Sequence, residues 1–198
     1  RGAVEALRKA GATLEEGWPQ GMKPDELYDA YLTILYATLA GPQREDQLEE
    51  LRKIAAAYDG SYRAKRARAI TAPQGFYQQA DRRGRGGRGL WQAYFRTHDA
   101  FLLPTAFVPA FPHDQSPNFF DRVLSTPGGP RPYSDLLFWI SFATLTGLPA
   151  TTAPVGLTRG GLPVGIQIMG PYLEDATPID LAGRLADLLG GFRPPPGY

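Results

Sequence analysis

Residues 161–170 read GLPVGIQIMG, a stretch with glycine at both ends and proline near its start. The apolar run at 164–169 has the length of a strand, and proline is tolerated where a strand begins because the missing N–H costs least there. Gln167 alternates with Ile166 and Ile168 and therefore points to the opposite face of the strand. We expect a buried amide satisfied by backbone groups, with a substrate contact as the alternative.

Further strands are predicted around this stretch. Residues 150–155, ATTAPV, precede it, and residues 158–161, TRGG, have the glycine-rich chemistry of a hairpin turn between the two strands. Residues 100–103, AFLL, form another apolar strand, which Pro104 bounds. A short strand is also expected at residues 12–16.

Helical periodicity occupies most of the remaining chain. Thr71, followed by Pro73, is a candidate cap for the longest helix. The helix at 133–145 is apolar almost all round, so we expect it to be deeply buried. Helices and strands alternate without a domain break, which predicts an α/β fold with a mixed β-sheet flanked by helices. The predicted helices cover residues 3–10, 24–40, 48–58, 73–97, 133–145 and 179–189.

Residues 105–132 form a long proline-rich segment. Proline removes a backbone donor and fixes φ, so no regular structure is expected here. A loop of this length inside a compact domain is usually a lid, a binding loop or an interface element.

Composition places the chain among ordinary globular proteins, with 198 residues, 43% hydrophobic and 21% charged. A formal charge of +1 gives no global attraction for nucleic acid or for an anionic membrane. The absence of cysteine excludes disulfides and thiolate sites, and it fits the cytoplasmic location that we expect. No apolar run approaches the roughly 20 residues that span a bilayer.

The residues by themselves offer no reaction centre. No serine lies in a Gly-x-Ser-x-Gly elbow or precedes a lysine by three positions. Ser61 and Lys65 are four apart and could share a helix face, but the arginines around them favour a solvated basic face. His98 and His113 are each followed by aspartate, and adjacent residues point in different directions. Two histidines without a third ligand make a poor metal site, so no metal is expected.

The run RRGRGGRG at residues 82–89 is the one feature that suggests nucleic acid. Arginine–glycine segments bind single strands mostly as long disordered repeats, so contact with single-stranded RNA is a weaker alternative here. An exposed helix edge is the favoured interpretation. Each glycine would weaken such a helix by about 1 kcal/mol relative to alanine.

Several blocks in order carry a resemblance to a known family. Residues 99–105, DAFLLPT, resemble the Asp-x-x-Leu-x-Pro-Thr strand of the amidase-signature family. Residues 143–150, ATLTGLPA, resemble its Asn-Leu-x-Gly-x-Pro-Ala segment, with Thr144 in place of the common asparagine. Residues 161–170 are similar to its Gly-Leu-Pro-Val-Gly-x-Gln stretch, and residues 190–198 resemble the tails of bacterial members.

The resemblance implies amide hydrolysis by a Ser–cis-Ser–Lys triad, with a Gly-Gly-Ser-Ser loop that donates backbone N–H groups to the oxyanion. The chain has no Ser-Ser pair, and none of its four lysines stands in a matching context. We therefore assign no catalytic residue. We expect residues 1–198 to be the C-terminal part of an amidase-signature domain whose N-terminal catalytic half is absent. We expect this chain to be inactive alone, and we expect the intact enzyme to use no cofactor.

The same resemblance implies that this part of the fold supplies much of the wall of the acyl pocket. The helix before the Gly-x-Pro-Ala block reads LLFWI at 136–140, which suits an apolar or aromatic amide better than a glutaminyl substrate. The candidate pocket residues are Phe107, Phe111, Phe138, Trp139 and Gln167.

The expected partners are a small-molecule amide in the intact enzyme and the N-terminal half of the same fold. Without that half, the strands would expose apolar surface and unpaired edges. The isolated chain should therefore self-associate. No membrane partner is expected. The alternative from a different class is a non-catalytic binding or structural subunit.

Overall fold

The computed structural model describes residues 2–194, so the last four residues of the tail at 190–198 lie outside the described residues. The chain forms two compact units. The first contains the described residues of Arg1–Gly21, Leu90–His113 and Gly147–Tyr198, and the second contains Met22–Gly89 and Asp114–Thr146. The elements are, in chain order, α1 (Gly2–Lys9), α2 (Pro24–Thr38), α3 (Glu45–Ala56), α4 (Tyr62–Thr71), α5 (Gln74–Tyr94), β1 (Phe101–Pro104), β2 (Val123–Thr126), β3 (Gly129–Pro132), α6 (Leu137–Thr146), β4 (Ala150–Leu157), β5 (Pro163–Met169) and α7 (Ala176–Leu189), with 3-10 turns at Phe119–Asp121 and Tyr133–Leu136.

The first unit is built on a three-stranded antiparallel sheet in the order β1–β5–β4, with α7 packed against β4 and β5 and α1 packed against α7. The core joins Ala153 and Ile168 of the sheet to Leu185 of α7, all at most 1% exposed. Burying an aliphatic side chain of this size stabilises a fold by roughly 1.5–3 kcal/mol. The central strand β5, which is buried from Gln167 to Met169, was predicted from the sequence at 164–169.

The second unit is mostly helical. Helix α2 packs against α4 and α6, and α3 packs against α4. A row of tyrosines gives the core an aromatic character, and Leu32 is 1% exposed among them. The buried members of this cluster are Tyr28, Tyr31, Leu32, Tyr36 and Ala69.

Most predicted elements are confirmed, namely α1, α2, α3, β1, the hairpin β4–β5 and α7. The α/β fold with helices flanking a sheet is also confirmed, although the described strand pairs are all antiparallel rather than mixed. The strand predicted at 12–16 is wrong, because these residues adopt no regular structure. Thr71 is the last residue of α4 and not a helix cap, while the next helix begins at Gln74 and ends at Tyr94.

The prediction of no regular structure across 105–132 is wrong in part. The hairpin β2–β3 and one 3-10 turn lie within it. Pro130 and Pro132 both belong to β3, which has a single partner strand, so a missing N–H can face away from the ladder. A two-stranded ribbon therefore accommodates prolines that a central strand would exclude.

Helix α6 is less buried than its apolar sequence predicted. Ser141, Phe142 and Ala143 are buried, whereas Ile140 on another face is 38% exposed. The expectation of a deeply buried helix is therefore wrong in part. Among residues 2–194, no helix combines the length and apolarity needed to cross a membrane.

Candidate functional site

Gln167 lies on the central strand of the first unit. It stands opposite Leu103 of β1 and Thr152 of β4, and it is 7% exposed. The predicted burial is therefore confirmed. A contact between this amide and a substrate stays a prediction.

The glycines around Gln167 are places where atoms approach the backbone closely. A Cβ at Gly165 would lie 3.2 Å from Cγ2 of Thr152, and a Cβ at Gly170 would lie 2.5 Å from Cδ of Pro178. A side chain at Gly170 would clash with Pro178, and one at Gly165 would require Thr152 to shift by a few tenths of an ångström. The sequence motif at 161–170 therefore has a packing role in the described structure.

Phe107 and Phe111 also belong to the first unit. They lie after β1, outside any helix or strand. Phe107 is half-buried and Phe111 is exposed. Their assignment to a pocket wall stays a prediction.

Phe138 and Trp139 belong to the second unit, in the first turn of α6. The Phe138 ring contacts those of Trp139 and Phe142, with centroids 5.0 and 5.2 Å away. It also meets Tyr28 of α2 edge to face at 5.1 Å. These rings form an aromatic cluster, in which Phe138 and Trp139 are half-buried.

A hydrogen-bonded network lies beside the aromatic cluster. The Tyr62 hydroxyl donates to Oδ1 of Asp135 at 2.6 Å and lies 2.9 Å from the Tyr28 hydroxyl. The Tyr28 hydroxyl also donates to the carbonyl oxygen of Ser134 at 3.1 Å. Arg131 completes the network, because its Nε donates to Oδ2 of Asp135 at 2.8 Å.

Burial raises the pKa of both Tyr28 and Tyr62, and the Asp135 carboxylate that accepts from Tyr62 raises the pKa of that hydroxyl further. Both hydroxyls therefore stay protonated near neutral pH and act as hydrogen-bond donors, not as bases. The sequence carried no signal for this network. Tyr28 and Tyr62 are 34 residues apart in the chain, and Tyr62 and Asp135 are 73 residues apart.

Ser61 and Lys65 do not form a catalytic pair. The Ser61 Oγ caps α4 by accepting from the backbone N–H of Ala64 at 3.2 Å. The Lys65 ammonium pairs with Oδ1 of Asp29 at 2.6 Å. Each side chain therefore has a structural partner of its own.

His98 contacts neighbouring side chains. Nε2 of His98 lies 2.9 Å from Oε2 of Glu15, and its ring stacks on that of Tyr94 at 4.0 Å. His113 is exposed. Within the part of the chain that the structure describes, no three histidine or acidic side chains lie close enough to hold a metal ion.

The arginine–glycine run lies on α5 and forms part of a continuous helix. Arg82, Arg83 and Arg85 are exposed, and Arg85 pairs with Asp81 one turn earlier. The predicted exposed helix edge is confirmed for these three side chains.

Comparison with known sequences identifies relatives across most of the chain. The family model Amidase matches residues 1–178. One subunit of the glutamyl-tRNA(Gln) amidotransferase from Exiguobacterium sp. is 28% identical over 98% of this chain and 42% of its own length. Fatty acid amide hydrolase from Arabidopsis thaliana is 33% identical over 48% of this chain and 15% of its own length. The chain spans less than half the length of these relatives.

A solved structure of an amidase has the same fold as this chain. It superposes with a TM-score of 0.67 at 21% sequence identity, over 94% of this chain and 40% of that one. At this identity the likeness establishes the fold alone.

Proposed function

The chain belongs to the Amidase family, and we propose that it forms the C-terminal part of an enzyme that hydrolyses the C–N bond of a carboxylic amide. The observation that carries the proposal is the family match over residues 1–178. Two relatives support it, since their names specify an amide hydrolase and part of an amidotransferase. We extend the proposal to a cytoplasmic location, which the lack of cysteine favours.

The chemistry proposed is acyl transfer through a serine nucleophile. A Ser–cis-Ser–Lys triad would form an acyl-enzyme, and backbone donors would stabilise the oxyanion. The 198 residues contain no Ser-Ser pair. Ser61 and Lys65, the one serine–lysine pair at helical spacing, are engaged with Ala64 and Asp29. We therefore place the triad in an N-terminal half of the same fold, and we expect this chain alone to be inactive.

The proposed contribution of this chain to the substrate site is apolar. Phe138 and Trp139 lie half-buried in the aromatic cluster at the start of α6, where ring faces and edges suit an aromatic or aliphatic acyl group. Phe107 and Phe111 are proposed as further wall residues. The buried Gln167 is proposed as scaffold, with substrate contact as the alternative.

The test compares the 198-residue chain with the same chain extended by its in-frame upstream coding sequence. The chain alone should give no turnover of aryl or aliphatic amides above buffer, and a fluorophosphonate probe should leave its serines unlabelled. The extended protein should hydrolyse an aryl amide and be labelled at one serine. Stoichiometric labelling of any serine in the chain alone would contradict the proposal, as would an upstream sequence that lacks a lysine and a Gly-Gly-Ser-Ser loop.

A further inference from the structure

A groove with a cavity volume of about 520 Å³ opens in the second unit, beside α3, α4 and the 3-10 turn at Phe119–Asp121. It lies wholly within this unit. It is separate from the aromatic cluster, because none of Tyr28, Phe138 or Trp139 lines it. The lining residues on which the argument depends are Glu50, Leu51, Ile54, Arg63, Arg66 and Phe120.

One wall of the groove is cationic. Arg63 and Arg66 are three residues apart on α4 and so face the same side of the helix. Within residues 2–194, neither guanidinium has a hydrogen bond or an ion pair with a carboxylate. The other cations of α4 differ, because Lys65 pairs with Asp29 and Arg68 lies over the ring of Phe76 at 4.8 Å.

Arg66 is half-buried, and no carboxylate within residues 2–194 pairs directly with its guanidinium, although Asp46 and Glu50 line the same groove. Removing a charged group from water is costly unless a partner of opposite charge replaces the lost hydration. A bound anion would supply that partner. Guanidinium groups favour carboxylates because the planar fork can donate two parallel hydrogen bonds to the two oxygens.

Three of the residues that line the groove are apolar. Leu51 is 9% exposed, Ile54 is half-buried, and the half-buried Phe120 ring packs edge to face against Tyr36. Such a surface suits the hydrocarbon part of a ligand.

Glu50 limits how much negative charge the groove can accept. Glu50 is an exposed lining residue whose side chain has no hydrogen bond or ion pair within residues 2–194, so its charge opposes a second anionic group on a ligand. Asp46 also lines the groove, but Arg44 pairs with it at 2.9 Å. Two arginines beside the unpaired Glu50 therefore disfavour polyphosphates and nucleic acid, and they favour a ligand that carries a single negative charge.

We propose that this groove is a binding site for a small monocarboxylate with an aromatic or aliphatic body. The carboxylate lies between Arg63 and Arg66, and the hydrocarbon part lies on Ile54 and Phe120. The site is argued from the groove alone and does not depend on the proposed hydrolysis. An apolar monocarboxylate is also the class of acid that such a hydrolysis releases, so the groove could retain or sense the product.

The experiment titrates the chain with phenylacetate and, separately, with the uncharged phenylacetamide, at low ionic strength and by NMR. Phenylacetate should bind with a Kd on the order of 1 mM, as expected for a ligand of this size. Phenylacetamide should bind at least about tenfold more weakly because it cannot pair with the arginines. Raising the salt to about 0.2 M should weaken the binding of the acid.

Variants identify the groove as the site. Arg63→Gln and Arg66→Gln should each weaken phenylacetate binding about tenfold. Glu50→Gln should tighten it about two- to fivefold by removing a repulsive charge. Arg82→Gln is the matched control, since it removes an exposed guanidinium of α5 that does not line the groove, and it should leave the Kd unchanged.

Three results would overturn the site, namely equal binding of the acid and the amide, no binding of either, or an unchanged Kd in both arginine variants. If an arginine variant misfolds, the Glu50→Gln variant still tests whether phenylacetate binds in the groove. Amide turnover by the extended protein is a separate readout, so failure here is distinguishable from failure of the proposed function.

Discussion

The Nε atom of Arg88 donates a hydrogen bond of 2.6 Å to the carbonyl oxygen of Thr146. Thr146 is the last residue of α6 and is fully buried, so its carbonyl lacks both an intrahelical partner and water. A cation at this end of a helix also opposes the negative end of the macrodipole. One arginine of the arginine–glycine run is therefore a structural cap within the second unit.

Replacing Arg88 should destabilise the fold. We expect Arg88→Ala to lower the free energy of unfolding by about 1–3 kcal/mol, because a buried carbonyl loses a charged donor. Arg82→Ala is the control, since Arg82 is exposed on the same helix and should change stability by less than about 0.5 kcal/mol. Urea unfolding followed by circular dichroism measures both values. Equal midpoints of urea unfolding for the two variants would show that Arg88 does not stabilise this end of α6.

Two glycines of the run allow helices to approach closely. A Cβ at Gly87 would lie 2.9 Å from Cδ2 of Leu27 and 3.4 Å from Cγ2 of Thr146. A Cβ at Gly84 would lie 3.0 Å from Cδ1 of Leu145. The glycines reduce helix propensity, as the sequence indicated, but the close contacts with α2 and α6 that they permit offset this cost.

Alanine at Gly87 and at Gly86 should therefore have opposite effects. Gly87→Ala should lower the free energy of unfolding by about 1–3 kcal/mol through overpacking against the buried Leu27. Gly86→Ala should raise it by about 0.5–1 kcal/mol, because nothing lies within 4 Å of its Cβ position and alanine favours the helix. Parallel thermal and urea unfolding curves check the sign of each change. A gain of stability in both variants would show that Leu27 moves aside easily.

Elements specified by local chemistry were predicted from the sequence. The hairpin β4–β5 is one example: the backbone N–H of Thr158 donates to the carbonyl of Leu162 at 2.8 Å, closing the turn where the TRGG segment indicated one. The strand at Ile166 and Ile168 likewise follows from an apolar run between glycines. In both cases the determining residues are neighbours in the chain.

Features that depend on distant residues were not predictable in this way. Tyr28 and Tyr62 are 34 residues apart and Tyr62 and Asp135 are 73 apart, so no local pattern links these side chains. The hairpin at Val123–Thr126 and Gly129–Pro132 was not predicted because proline is excluded from most strands. A two-stranded ribbon accommodates proline because each strand has only one partner. Assignment of Phe107 and Phe111 to a substrate pocket depends on the family resemblance and stays a prediction.

Buried tyrosines should make the stability of the chain fall at alkaline pH. Burial raises the pKa of Tyr36 from the ordinary value of 10.0 to about 12. Between these values the unfolded chain has lost this proton while the folded chain keeps it, so unfolding releases a proton. The stabilising contribution is therefore complete below the lower pKa and is lost as the pH rises towards the higher one.

The free energy of unfolding should decrease by about 1.4 kcal/mol per pH unit for this group across that window. Tyr36→Phe should make the decrease shallower by roughly that amount. Tyr58→Phe, which changes an exposed tyrosine, is the control and should leave the slope unchanged. Urea unfolding at a series of pH values gives the slopes, and identical slopes for wild type and Tyr36→Phe would contradict the prediction.

The isolated chain should self-associate. Both β1 and β4 are edge strands of the three-stranded sheet, and open edges can pair with another chain. We expect the contact at residues 105–132 and 133–145. Apolar side chains are exposed in both segments, with Val123 58% exposed in β2 and Ile140 38% exposed in α6. A two-fold dimer is the simplest arrangement that covers the same surface on both copies. Light scattering at micromolar concentration measures the mass.

Charged substitutions distinguish a specific contact from non-specific hydrophobic association. Val123→Glu and Ile140→Glu should each shift the chain towards monomer, because a carboxylate in an apolar contact loses its hydration without a partner. Leu39→Glu adds the same charge at a side chain that is 72% exposed but lies outside the expected segments, so it should leave the dimer unchanged. A monomeric wild type that binds no hydrophobic dye would exclude the association. Equal dissociation of all three variants would instead mean that the contact is not at these segments.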